Sequence, residues 1–279
     1  MKLIAEARQI IKPVSVTDGA GVKIKRSIGL NPEYFDPFLM LDEFGSENKD
    51  DYIAGFPPHP HRGIETVTYM LAGDFEHKDS LGSTGRMCAG DVQWMKTGSG
   101  IIHSEMPLMK EGKLHGFQLW INMPSNLKMT KPDYLYLDAK EINHYADSEK
   151  SVKVIAGKFE DFNGAISNHN VDPVYFDVSL TKSNKFGFPL CREKNSFVYL
   201  YDGEIKVGHK DNERIKGSTL ITLSWGETLH IEAVEDAKFL VISGRPINEE
   251  IARGGPFVMN TREEIQEAIE DYRNGTFIK

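Results

Sequence analysis

Phe56-Pro-Pro-His-Pro-His-Arg-Gly-Ile-Glu-Thr-Val-Thr-Tyr-Met-Leu71 carries His59, His61 and Glu65 at the head of an alternating apolar run. Residues 98–107, Gly-Ser-Gly-Ile-Ile-His-Ser-Glu-Met-Pro, add His103 and Glu105. Residues two apart in a strand face the same side. His59 and His61 therefore point together, and so do His103 and Glu105. Two such pairs on neighbouring strands can place three imidazoles and a carboxylate around one ion. Continuing the alternation past His61 puts Gly63, Glu65, Val67, Tyr69 and Leu71 on the same inner face. Glu65 is then a fifth candidate ligand, and Gly63 leaves room beside the ion.

This donor set has no thiolate. It suits iron(II), manganese, nickel, copper or zinc. Coordination positions that the protein does not fill are open to water, O2 or substrate. Ligating rings need partners to orient them, and Tyr69, Gln93 and Gln118 are polar groups placed to reach inward. The remaining histidines carry less. His77 follows Glu76 in an expected edge strand, and His115 begins a strand. His144, His169, His209 and His230 stand apart in the second half, which is expected to hold no metal.

Around this pair of stretches, short strands and glycine turns dominate, the pattern of an all-β protein. Strands are expected at 22–28, 36–44, 64–71, 74–79 and 115–123, with a polar crossover over 124–150. The pattern resumes at Val152. Residues 196–201, Asp202-Gly203 and 204–207 read as a hairpin with a type I′ turn. The two halves share a rhythm that points to internal duplication. Near the end, Thr261-Arg-Glu-Glu264 is a capping box, and Asn274-Gly275 closes a short amphipathic helix.

The chain has 279 residues, 27% of them charged, and a formal net charge of −8. That balance argues against direct nucleic-acid binding through phosphate neutralisation. Cys88 and Cys191 lie far apart and read as reduced thiols, which places the protein in the cytoplasm. Neither a signal peptide nor a membrane-spanning run is recognisable. GxSxG and GxxxxGK[ST] motifs are absent, so those hydrolase and phosphate-binding classes fall away.

The metal stretches resemble the cupin pattern, although Gly98-Ser-Gly-Ile-Ile-His103 lacks the proline often found in P-x-G-x-x-H. The whole chain resembles the pirin family. The likeness rests on Arg26-Ser-Ile-Gly29, on Asp36-Pro-Phe-Leu-Met-Leu-Asp-Glu-Phe44 and on residues 58–67. It extends through Gly90-Asp-Val-Gln-Trp-Met95 and residues 100–107 to Gly255-Pro-Phe-Val-Met-Asn-Thr261. The resemblance implies a bicupin: two antiparallel β-barrels (double-stranded β-helices) packed face to face, closed by a short C-terminal helix. The expected division is 1–130 for the metal-bearing barrel and 131–279 for a barrel without metal ligands, ending in the helix. It implies one mononuclear metal, usually iron, held by His59, His61, His103 and Glu105, and so moves Glu65 to a supporting place.

Pirins are linked to quercetin 2,3-dioxygenase activity, which implies a small aromatic substrate and O2, with Glu105 as the first candidate for the catalytic base and Glu65 as the second. They also resemble iron-dependent redox sensors that bind a transcription factor or metabolic enzyme, which would make the partner a protein.

Overall fold

Short alternating segments closed by glycine turns fold mostly as antiparallel strands in the computed structural model, which describes residues 3–29, 35–167, 169–209 and 213–279. The chain forms two compact units. One comprises Val14–Ala139 with Ile247–Lys279, the other Met1–Pro13 with Lys140–Pro246. This differs from a single cut at residue 130, because each end of the chain joins the unit remote from it in sequence. Ile4–Ala5 runs parallel to the start of Thr228–Ala233, and Ala7–Ile11 pairs with Thr219–Leu223. The C-terminal segment belongs to the unit that carries the candidate ligands.

That unit has a seven-stranded sheet in the spatial order Asp133–Leu137, Val92–Lys96, Ile64–Ala72, Leu114–Asn122, Phe38–Ser46, Val22–Ile28, Val14–Asp18. Its smaller sheet runs Phe56–His61, Ile101–Pro107, Phe75–Asp79, Thr84–Met87. The other unit repeats both orders. Its large sheet is Ala7–Ile11, Thr219–Leu223, Asn195–Asp202, Ala237–Gly244, Val174–Leu180, Lys150–Ala156, Asn143–Ala146. In its small sheet Lys185–Pro189, Thr228–Ala233, Glu204–Val207 and Ile215–Lys216 follow one another, with Ile4–Ala5 added beside Thr228–Ala233. The shared rhythm is therefore a repeated cupin topology.

The repeat explains why Asp202-Gly203 is not a hairpin turn. Asn195–Asp202 pairs with Thr219–Leu223 and Ala237–Gly244, whereas Glu204–Val207 lies in the other sheet. Gly203, at φ +80°, is the corner that carries the chain between sheets, and a Cβ there would sit 2.0 Å from the Asp236 carbonyl oxygen. Gly73, at φ +85°, turns the same corner in the first unit. A local Asp-Gly signal describes the bend but not the strand partners, which come from far along the chain.

The repeat also shows how the second barrel differs. Its strands equivalent to the two histidine strands direct Phe186, Phe188, Leu229 and Ile231 into a continuous apolar core. One HxE pair does occur there, His230-Ile-Glu232. It is out of phase by one residue, so the aliphatic neighbours point inward and His230 meets His209 instead, at 4.6 Å between ring centroids.

The helix spans Arg262–Asn274, with Thr261 and Glu264 forming both halves of the capping box. Gly275 closes it at φ +72°, a left-handed position suited to glycine. Ile265 and Ala268 pack on Phe257, Met259 and Phe277. No helix among the described residues is long and apolar enough to cross a membrane.

Candidate metal site

Proline dictates where the first histidine strand can lie. Pro57, Pro58 and Pro60 cannot donate to a ladder, which confines Phe56–His61 to a sheet edge, and it is the edge of the small sheet. Among the described residues its ladder partner is Ile101–Pro107, with His59 opposite His103 and His61 opposite Ile101. The ladder slips between His103 and Glu105.

This register gathers the three imidazoles. One ring nitrogen from each of His59, His61 and His103 lies within 4.8 Å of the others. Carbonyl oxygens only accept hydrogen bonds, so the contacts at Nδ1 define the tautomers. His59 Nδ1–H donates to the Pro57 carbonyl at 2.9 Å, and His61 Nδ1–H donates to the Pro256 carbonyl at 3.2 Å. Each ring thereby presents an Nε2 lone pair, the arrangement that outer contacts give metal-bound histidines. His103 is 1% exposed, and neither of its nitrogens has a hydrogen-bond partner. A buried polar ring without a partner is costly, and a metal ion would satisfy it. Burial, with His59 nearby, pulls the pKa of His61 down to about 3. Burial, together with the neighbouring rings, holds His103 well below the usual histidine value. Both effects favour the neutral form that binds metal. The donor set and the orphaned ring fit a mononuclear metal.

Glu105 stands outside this three-histidine group but lines the same cavity. Burial raises its pKa, opposed by His59 and by a hydrogen bond from Thr68. The Thr68 hydroxyl lies 2.9 Å from Glu105 Oε1 and 2.5 Å from Gln118 Oε1. Threonine has one proton to give, so it donates to one of these two oxygens at a time.

Glu65 is also outside the group. Its carboxylate accepts from the Trp94 indole at 2.6 Å. The alternation carried past His61 fails at a turn: the small-sheet strand ends at His61, Gly63 adopts φ +78°, and Ile64–Ala72 begins in the large sheet. Phase is lost there, so Thr68 faces the cavity and Met70 the adjoining apolar cluster, while Glu65 and Tyr69 do not line the cavity. Tyr69 stacks on Phe117. Gln93 reaches His77 rather than a candidate ligand. A Cβ on Gly63 would lie 2.1 Å from the Val258 carbonyl oxygen. Gly63→Ala is accordingly expected to cost about 2 kcal/mol or more and to lower the thermal midpoint measured by circular dichroism. An unchanged midpoint would contradict that packing.

His77 is fully buried, contrary to an edge position open to solvent. Its Nε2 faces Asp79 at 2.9 Å, and its Nδ1 accepts from Gln93 at 2.9 Å. Both nitrogens are occupied, so His77 is no ligand, although its ring lies 5.5 Å from that of His103. The i,i+2 spacing of His77 and Asp79 was the only sequence trace of this pair. His115 pairs with Glu43 at 2.9 Å.

Behind the histidines, the turn at Arg62 and Gly63 is tied to the C-terminal segment. Arg62 donates to the Ser99 carbonyl at 2.7 Å and to Asp271 at 2.8 Å, and its guanidinium lies over Phe277. In front of them opens a cavity of about 570 Å³. Phe44, Phe56, Phe75 and Trp120 give it aromatic walls, and Arg26, Asp42 and Arg253 supply charge.

The model of the pirin family matches residues 21–121, and that of the pirin C-terminal cupin domain matches residues 175–278. The chain belongs to the pirin family. It is 43% identical over 272 residues to a pirin-like protein of Caulobacter vibrioides, covering 96% of this chain and 98% of that one. It is 39% identical over 264 residues to the pirin of Homo sapiens, covering 92% and 89%. Among solved structures, one named quercetin 2,3-dioxygenase from Acinetobacter baumannii superposes with a TM-score of 0.90 at 34% identity, covering 99% of this chain and 100% of that one. The two-barrel cupin fold of this pirin-family member is thus shared along its whole length.

Proposed function

We propose that this chain is a metal-dependent dioxygenase that opens a flavonol-type ring with O2, as the activity name of its Acinetobacter relative describes. The supporting observation is His103, buried and unpartnered within a three-histidine cluster, beside an aromatic-walled cavity. His59, His61 and His103 would hold the metal, with iron(II) as the proposed ion and Glu105 as a fourth ligand by family likeness. Such a metal, when bound, supplies Lewis acidity toward an enolic hydroxyl and redox access to O2.

The chain's own groups do the rest. Glu105, which lines the cavity, takes the substrate hydroxyl proton. Thr68 and Gln118 hold the carboxylate in one orientation. Phe44, Phe56 and Phe75 exclude water and accept a flat ring by stacking.

Protein loaded anaerobically with iron(II) and then given quercetin and O2 is expected to release carbon monoxide. Glu105→Gln is expected to lower turnover by about 100-fold or more. No turnover with iron, nickel, copper or manganese would overturn the proposal.

A further inference from the structure

The cavity contains two guanidinium groups in opposite situations. Arg26 is saturated. Its Nε and Nη2 contact the two Asp42 oxygens at 2.9 and 2.7 Å, and Asp18 adds a contact at 2.8 Å. Arg253 donates at 2.9 Å to the Gly29 carbonyl and only at 3.5 Å to that of Gly255. Guanidinium has five N–H donors, and among the described residues no carboxylate pairs with this one.

Its position is nevertheless determined. Ala252–Gly254 pairs with Phe257–Met259, which sets the Arg253 guanidinium 5.0 Å from the centre of the Trp120 ring. The same indole meets His61 edge-on at 5.1 Å. Two ring-sized steps therefore separate a candidate metal ligand from a cation with unused donors, and all three residues line one cavity. Burial of the guanidinium, followed by the Arg26 charge, lowers the Arg253 pKa, while Asp42 and Asp18 nearby oppose that shift.

We propose that Arg253 is an anion-receiving residue of this cavity, which selects flat aromatic ligands bearing a carboxylate or comparable anion at the end away from the three histidines. The planar fork matches a carboxylate with two parallel hydrogen bonds. The Trp120 face holds the fork in place by cation–π attraction. This inference rests on reading the cavity as the substrate site, but not on any turnover.

The test compares 2-naphthoate with 2-naphthamide, which share a shape and differ in charge. Calorimetric titration into nickel-loaded protein is expected to show naphthoate binding about tenfold tighter or more. Arg253→Gln should bring the two affinities together, and Arg253→Lys should retain part of the preference. Arg253 is exposed, and the variants' nickel content serves as the folding control. Equal affinities in the unaltered protein, or no binding of either compound, would overturn the proposal. So would a naphthoate preference that survives Arg253→Gln, since the anion would then be held elsewhere. Carbon monoxide release from quercetin alongside any of these three results would retain the dioxygenase reading and remove this one.

Discussion

His103→Leu is expected to abolish metal retention while making the metal-free protein more stable. The imidazole occupies a nearly inaccessible position, and neither nitrogen has a partner. Burying such a group without satisfaction costs about 1–3 kcal/mol, and leucine removes that cost at similar volume. The change deletes one of three gathered imidazoles. Affinity should therefore fall by more than the roughly 10–100-fold that loss of an outer contact produces. Metal content after dialysis would report the first effect, and urea unfolding of chelator-treated proteins the second. A variant that still carries one metal per chain would refute the placement of His103 as ligand. A less stable metal-free variant would show that the ring has a structural partner.

Lys128→Met is expected to give the largest loss of stability. Lys128 is buried, and its ammonium donates to the Gly63 carbonyl at 2.8 Å, Asn122 Oδ1 at 2.7 Å and the Val258 carbonyl at 2.9 Å. Burial pulls its pKa down to about 8, which measures the cost of keeping the charge there. Methionine fills comparable space but leaves three acceptors without a donor. Each unmet group costs about 1–3 kcal/mol, and relief of the buried charge offsets part of it. A net loss of about 3 kcal/mol follows. Because Lys128 fastens the turn after His61 to the C-terminal segment, metal affinity should fall as well. Urea unfolding measures the first effect, and a loss below about 1 kcal/mol would contradict this accounting.

The parts legible in the sequence were those written in local patterns. Two-residue spacing paired His59 with His61, and the capping box from Thr261 to Glu264 marked the helix start. Family likeness supplied the two-barrel fold. What stayed hidden depended on long-range pairing. Gly63 breaks the alternation only because the chain changes sheets there, which brings Thr68 rather than Glu65 to the cavity. Asp202-Gly203 has the residues of a tight hairpin, yet the partners of its flanking strands lie elsewhere. Periodicity contains no term for Pro256 accepting from His61, Val258 from Lys128, or Arg253 lying over Trp120. Each of those contacts joins the end of the chain to residues more than a hundred positions earlier.

That last group of contacts sets an order of events during synthesis. His59, His61 and His103 leave the ribosome well before the carbonyl that orients His61 and the strand that buttresses Gly63, which lie more than a hundred positions later. A nascent chain stopped at Pro246 would hold all three imidazoles without the segment that aims one of them. Any ion held in the geometry described would therefore need residues 247–279 in place as well as the three histidines.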